Sequence, residues 1–198
     1  MNNPTPISYS ISPTMITRTS RDIYLIDRIT PESCGKVLTR LRELQLEDER
    51  IASLFISMNI IPPKNMEINI FIDSVGGSAY ACLTLFEEIL KYKTQINTHA
   101  LGFVASAGTI IYLAGHKRYA YENSTFLFHE GSVMVFGDLH TVANETRELY
   151  RLQDIVNGIY LKRTLLTNDM IDKINSNKGD TYYSAFDAKQ LGIVTNFY

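Results

Sequence analysis

The clearest signal of the fold in this sequence is Glu67-Ile-Asn-Ile-Phe-Ile-Asp73, followed directly by Ser74-Val-Gly-Gly77. The apolar run predicts a β-strand, and the glycine pair predicts a tight turn directly after it. From Ser78 to Tyr92 the apolar residues return at helical spacing, which predicts an amphipathic helix. A strand, a turn and a helix in this order begin a right-handed crossover unit.

The same unit recurs on both sides of this stretch. Downstream, Ile96 to Leu101 predicts a strand, followed by Gly102 and a helix-like run from Ser106 to Leu113. Upstream, Asp22 to Asp27 predicts a strand, and Thr30-Pro31-Glu32 supplies the cap, the proline and the acid that begin helices. Repeated strand–helix units predict an α/β architecture.

The remaining segments predict smaller elements and one long helix. Residues 51–61 fit either a continuation of the first helix or an extra strand, which Pro62-Pro63 ends in both cases. The other predicted strands cover residues 117–121, 124–129 and 132–136, and the other predicted helices cover residues 139–163, 167–176 and 184–191.

Length and composition indicate one folded domain. The chain has 198 residues, of which 45% are apolar and 20% charged, and a chain of this size buries roughly 70% of its surface. Residues 1–20 are rich in Ser, Thr, Pro and Asn and predict an N-terminal arm, which leaves residues 21–198 for the domain. The net charge of −2 provides no basic field for nucleic acid.

The cysteines and the N-terminus indicate where the protein works. Cys34 and Cys82 fit two buried thiols better than a disulfide, which favours a reducing compartment. No secretory signal is visible, and no apolar run is long enough to span a membrane. We therefore expect a soluble protein of the cytoplasm or of a reducing organelle compartment.

Two predicted strand ends carry residues suited to acyl transfer. Gly76-Gly77 lets the backbone turn free N–H groups toward an incoming group. Ser106 would open a helix, where its hydroxyl lies beside unpaired amides and the positive end of the helix dipole. Together they could form an oxyanion hole beside a nucleophile, although each feature alone is typical of a plain turn and a plain helix cap.

Of the four histidines, one stands at a suggestive place. His129 ends the apolar strand Thr125-Phe-Leu-Phe128, where a buried element reaches an edge. The patterns around His99, His116 and His140 are more typical of packing or surface residues.

Four motifs follow one another over about residues 20–196. They are Phe71 to Ser78, then Thr98 to Thr109 with Phe-Val-Ala-Ser106-Ala-Gly, then Arg118-Tyr-Ala-Tyr-Glu122 running on to His129, and last Gly179-Asp180-Thr-Tyr-Tyr-Ser-Ala185 continuing to Ile193. In this order they resemble the motifs of the ClpP family of self-compartmentalised serine peptidases. The first resembles its glycine-rich turn, the second its nucleophile signature, the third its histidine signature and the fourth its acidic segment.

The resemblance implies roles for five residues. Ser106 would be the nucleophile, His129 the general base and then acid, and Asp180 the residue that orients His129. The backbone N–H groups of Gly77 and Ala107 would be the oxyanion donors.

The resemblance also implies a fold, a substrate groove and an assembly. The fold would be the ClpP/crotonase-like repeated β-β-α crossover, with the helix from Leu139 as a projecting handle. Unfolded polypeptide would add a strand along Phe126 to Phe136. Subunits would stack as two rings, usually heptameric and so a tetradecamer, around a chamber fed by an AAA+ Clp unfoldase. The substrate-binding residues would be Gly76, Phe128, Glu130 and Gly131.

The sequence departs from the family pattern in four ways. Glu130-Gly131 replaces Gln-Pro after the histidine, which adds a charge and removes a rigid proline. Val75 replaces the proline of Ser-Pro-Gly-Gly, and Val104 replaces an alanine two residues before Ser106. The region before Asp22 is shorter than usual, and extra sequence lies around residues 47–64, which bears on unfoldase docking.

Because no departure removes Ser106, His129 or Asp180, an active peptidase is the favoured interpretation. One alternative is a structural or regulatory ring subunit with a weakened site. Another is a specialised processing peptidase, with an acyl-CoA-processing relative ranked below it. The chain has no phosphate-binding loop and should not hydrolyse ATP itself. We expect no cofactor, no metal, no nucleic acid and no membrane partner.

Overall fold

A computed structural model describes residues 19–132, 135–177 and 179–198. Most of the predicted N-terminal arm, residues 1–18, lies outside the described residues. The elements in chain order are β1 (Asp22–Ile26), α1 (Pro31–Ser57), β2 (Ile68–Ser74), α2 (Ala79–Lys91), β3 (Ile96–Ala105), α3 (Ala107–Leu113), β4 (Arg118–Ala120), β5 (Thr125–Phe128), α4 (Leu139–Arg163), α5 (Asn168–Ser176), β6 (Thr181–Ser184), α6 (Ala185–Gln190) and β7 (Asn196–Phe197).

The strands form one sheet in which nearly every pairing is parallel. Its order is β1-β2-β3-β4-β7, while β5 pairs with the far half of β3 and with β6. Only the β5–β6 pairing is antiparallel among the described strands. The helices α1, α2 and α3 pack on one another and on this sheet around the apolar core. The predicted α/β crossover architecture is confirmed.

Helix α1 begins where the sequence signals place it and settles the ambiguous segment. The Thr30 side chain accepts from Ser33 N–H, and Ser33 Oγ accepts from Thr30 N–H, which closes a capping box ahead of Pro31. The helix then continues to Ser57, so residues 51–57 are helical and form no extra strand.

Strand β3 is longer than predicted, because a side chain of β2 bonds to its backbone where the pairing of the two strands is irregular. Ile72 pairs with Ala100, but Ser74 pairs with Val104, so β3 holds two more residues than β2 between these pairs. Asp73 Oδ1 accepts from Phe103 N–H at 3.0 Å within this bulge. The strand therefore continues past Gly102 to Ala105 rather than ending at Leu101.

Three further differences from the sequence prediction lie in the second half of the chain, and one of them is the unpredicted strand β7, Asn196–Phe197. The strand β6 was not predicted, and it covers Thr181–Ser184 immediately before α6. The strand predicted over 132–136 is not formed by residues 132, 135 and 136, while residues 133 and 134 lie outside the described residues.

The cysteines lie where the sequence placed them, and both are buried and free. Burial raises the pKa of the Cys82 thiol to about 12. No helix in the described ranges combines the length and the apolar run that crossing a bilayer requires.

A buried ion pair joins the start of the sheet to the middle of α1. Arg21 donates to both carboxylate oxygens of Asp48, at 3.0 and 2.8 Å, and each side chain is 4% exposed. Removing one member of such a pair leaves the other charge buried without compensation. The free energy of unfolding should therefore depend strongly on Asp48.

We expect Asp48→Ala to lower the free energy of unfolding by about 3–5 kcal/mol, measured by urea denaturation at fixed protein concentration. Lys36→Ala is the matched control, because its ion pair with Glu32 in the same helix is exposed and should leave the urea midpoint unchanged. Equal midpoints for Asp48→Ala and the wild type would contradict the assignment.

Candidate active site

The candidate nucleophile lies at the junction between β3 and α3. Ser106 N–H donates to Leu127 C=O at 3.0 Å, which ties the residue to the neighbouring strand β5. The Ser106 backbone has φ 53° and ψ −123°, a conformation that costs a non-glycine residue about 1–3 kcal/mol. Ser106 makes no side-chain cap bond to α3, so it is not the plain helix cap that its position alone suggests.

Strand register places the other two candidates beside it. In the antiparallel pairing of β5 with β6, Thr125 faces Ser184 and Phe128 faces Thr181. One further step along this ladder brings His129 opposite Asp180. Because β5 also pairs with the end of β3, with Ala105 facing Leu127, the three side chains converge at one corner of the sheet.

The distances describe a serine–histidine–aspartate arrangement. His129 Nε2 lies 2.7 Å from Ser106 Oγ, within ordinary hydrogen-bond range. His129 Nδ1 lies 3.5 Å from Asp180 Oδ1, a looser contact, and the two side chains are 32% and 43% exposed. With Nδ1 protonated toward Asp180, Nε2 is left to accept the proton of the Ser106 hydroxyl.

A tyrosine that the sequence analysis did not identify holds the carboxylate. Tyr182 O–H donates to Asp180 Oδ2 at 3.2 Å, and this contact raises the pKa of the Tyr182 phenol. Asp180 immediately precedes β6, and the i, i+2 spacing along the extended chain puts both side chains on the same face. Recognising that strand in the sequence would have pointed to Tyr182.

The glycine pair lies directly against the nucleophile. Gly76 has φ 90°, and a Cβ on it would lie 2.6 Å from Ser106 Cβ. Gly77 has φ 151°, and a Cβ there would lie 2.2 Å from Ile29 C=O. Both positions therefore require glycine.

Two backbone amides at this junction are available to a ligand. Among the described residues, Gly77 N–H donates to no backbone carbonyl, whereas Gly76 C=O and Ser78 N–H both bond to Ile29. Ala107 is the first residue of α3, where helix amides lack an intrahelical partner. Such amides can stabilise a negative oxygen beside Ser106 Oγ.

These groups open onto a cleft of about 550 Å³. Ser106, Ala107, His129 and Gly77 line one end of it. Apolar residues of α2, α3 and α4 also line the cleft: Ala79, Cys82, Ile110, Leu149, Leu152, Val156 and Tyr160. A second cleft of about 600 Å³ lies between α1 and the segment after α2, and none of the predicted site residues lines it.

The four predicted substrate-binding residues have different surroundings. Gly131 lines the cleft, whereas Glu130 is exposed and is not one of its lining residues. Gly76 leaves room for Ser106 and does not line the cleft. Phe128 is fully buried against Tyr160 and Tyr183, so its side chain belongs to the core, contrary to expectation.

The expected groove along Phe126 to Phe136 also needs correction at its start. Both edges of β5 are already paired, with β3 on one side and with β6 on the other. Phe126 and Leu127 pair on both sides, whereas Phe128 pairs only with Thr181 of β6. A substrate strand therefore finds no free strand edge at residues 126 and 127 and can run beside this segment only after them.

The other histidines lie away from the cleft. His99 stacks between Phe71 and Tyr119 on the sheet, and burial lowers its pKa to about 4. His116 Nδ1 lies 3.1 Å from Ile96 C=O, and His140 is exposed at the start of α4. In the described ranges, no three His, Cys, Asp or Glu side chains are grouped as metal ligands would be.

The chain is similar to known proteins along most of its length. A family model described as "Clp protease" matches residues 14–198. The ATP-dependent Clp protease proteolytic subunits of two Dehalococcoides mccartyi strains are each 28% identical over 176 residues, which cover 88% of this chain and 80% of theirs. The same subunit of Deinococcus radiodurans is 27% identical over 154 residues, covering 77% of this chain and 74% of its own.

A solved structure shares the fold. An asparagine-to-aspartate variant of ClpP1 from Listeria monocytogenes superimposes with a TM-score of 0.71 at 25% identity, covering 90% of this chain and 91% of its own. The family match extends over almost the entire chain and agrees with the order of motifs in the sequence. The chain therefore belongs to the Clp protease family and is a ClpP-like peptidase subunit.

Proposed function

We propose that this subunit is an active serine endopeptidase in which Ser106, His129 and Asp180 form the catalytic triad. The observation that carries the proposal is the 2.7 Å contact between His129 Nε2 and Ser106 Oγ, with Asp180 on the other ring nitrogen. The strained Ser106 backbone supports it, because strain of this kind is typical of functional positions.

The proposed reaction follows from these contacts. Ser106 Oγ attacks the peptide carbonyl carbon while His129 Nε2 takes the hydroxyl proton. The carbonyl oxygen, now negative, accepts from the amides of Gly77 and Ala107. His129 then donates its proton to the leaving amine as the C–N bond breaks, which leaves an ester on Ser106. Water hydrolyses this ester by the same proton transfers in reverse order.

The cleft supports a peptide as the substrate. Its wall of apolar side chains suits an apolar residue next to the scissile bond, and its volume of about 550 Å³ accommodates more than one side chain. Gly76 and Phe128 act in this proposal through the backbone and the core. Gly131 borders the bound chain, and Glu130 remains in solvent.

The assembly is part of the same proposal. Phe136 and Leu139 are 84% and 88% exposed at the start of the α4 handle, and apolar residues this exposed suit contacts between subunits. We infer stacked rings, heptameric as in the family pattern, which enclose the cleft and receive unfolded polypeptide from an AAA+ Clp unfoldase in the cytoplasm. Native mass spectrometry of the purified chain tests the ring stoichiometry.

A fluorophosphonate probe tests the chemistry directly. We expect the assembled wild type to be labelled at Ser106 and to cleave short fluorogenic peptides, whereas Ser106→Ala should lose both properties. Ser53→Ala, an exposed serine of α1, is the control and should behave like the wild type. A ring that takes up no label would favour the structural or regulatory subunit over the peptidase.

The close approach of Gly76 to the nucleophile gives a second test. Gly76→Ala places a methyl group against Ser106 Cβ on a backbone with φ 90°. Because displacement of the reacting group is costly, we expect the labelling rate to fall by about 100-fold. Gly35→Ala in α1 is the control, since a Cβ there meets nothing within 4 Å. Unchanged labelling of Gly76→Ala would contradict the close approach of Gly76 to Ser106.

A further inference from the structure

The segment that follows His129 is held by a side chain from the handle helix. Gly131 N–H donates to Gln153 Oε1 at 2.8 Å, and both residues line the cleft. The family pattern has proline at the position of Gly131, and a proline has no N–H to donate. The contact therefore uses a donor that this chain has gained through its departure from the pattern.

Gln153 is itself fixed by two asparagines. Its Nε2 donates to Asn157 Oδ1 at 2.9 Å and to Asn175 Oδ1 at 3.1 Å. Both the oxygen and the nitrogen of the side-chain amide are therefore hydrogen-bonded. The orientation of the Gln153 amide follows from its partner, because the Gly131 N–H must meet an oxygen. Side chains held at both ends in this way are restricted to one rotamer.

The hydrogen bonds of Gln153 join a segment that follows His129 to a helix that precedes Asp180. Gly131 lies two residues after His129, and Asn175 lies in the last turn of α5, whose chain continues to Asp180. Gln153 thus links the segment that follows His129 to the end of α5. The His129–Asp180 contact of 3.5 Å is loose enough to depend on such a brace.

We propose that Gln153 is a positioning residue that fixes the backbone at Gly131, and hence the His129 ring and the start of the substrate groove, in place of the proline ring of the family pattern. This inference rests on the proposed peptidase function. Gln153 acts through Gly131 and contacts neither the nucleophile nor the base.

The geometry makes the glutamine and a proline mutually exclusive. Gly131 does not have a positive φ, so its backbone does not require glycine. A Cβ on Gly131 would lie 3.3 Å from Gln153 Oε1 and 3.3 Å from Leu149 Cδ1. A proline would also remove the N–H that Gln153 Oε1 accepts, and its ring would occupy that space. Shortening residue 153 to alanine removes the conflict with Gln153 and leaves only Leu149 Cδ1, the end of a flexible side chain that has to shift by a few tenths of an ångström.

The test is a double-mutant cycle on the assembled protein, read by kcat and KM for a fluorogenic peptide and by the rate of fluorophosphonate labelling. We expect Gln153→Ala and Gly131→Pro each to lower kcat by about tenfold, and the double variant to recover to within about threefold of the wild type. Gln153→Glu keeps the acceptor for Gly131 N–H and should retain more activity than Gln153→Ala. Gln45→Ala, which removes a hydrogen-bonded glutamine from α1, is the matched control.

Wild-type kcat in Gln153→Ala, or a double variant as impaired as the sum of the single variants, would overturn the inference. Hydrogen exchange at the Gly131 amide provides a readout independent of activity. It should be faster in Gln153→Ala than in the wild type and in Gln45→Ala, and equal rates would overturn the brace. A wild type that takes up no label would refute the peptidase proposal, and the exchange rates would still decide whether Gln153 holds Gly131.

Discussion

The register of β5 between β3 and β6 is the constraint on which the site depends. Its parallel pairing with β3 ties the Ser106 backbone to Leu127, and its antiparallel pairing with β6 brings His129 opposite Asp180. A slip of one residue in either ladder would turn these side chains to the other face of the sheet. The large rings of Phe126 and Phe128 resist such a slip, because each is fully enclosed in the core.

The position of Ser106 depends on its backbone conformation as well as on the register of β5. A serine with positive φ needs neighbours that hold it there, and Gly76 allows the turn after β2 to approach Ser106 without a clash. The Asp73 contact to Phe103 keeps β3 extended through its bulge up to that point. Strain at the nucleophile is thus balanced by ordinary strand pairing and by one carboxylate–amide bond.

Periodicity predicted α4 and α5 closely, because both depend on local spacing that the sequence displays. It left residues 51–57 of α1 undecided between helix and strand, and it ended β3 too early, at Leu101. It failed for β6, since Thr181 to Ser184 is short and only its pairing with β5 makes it a strand. The triad candidates were identified from four motifs that resemble the family pattern in their order. The residues of these motifs meet at one corner of the sheet. The paired edges of β5 follow from contacts between distant segments, and no local pattern carries that information. Tyr182 lies only two residues from Asp180 and was missed because β6 was not recognised as a strand.

The change from proline to glycine at residue 131 illustrates why a motif departure cannot be interpreted from the motif alone. In the sequence, Glu130-Gly131 suggests a looser segment beside the base, since a rigid ring has been lost. In the structure, the same change supplies an N–H, and Gln153, located 22 residues away in the chain, accepts from it. A hydrogen bond to a side chain that Asn157 and Asn175 already hold can restrict the backbone as a ring does. Rigidity near His129 then comes from two helices and a loop together. It can persist although the proline that provides it in the family pattern has been replaced.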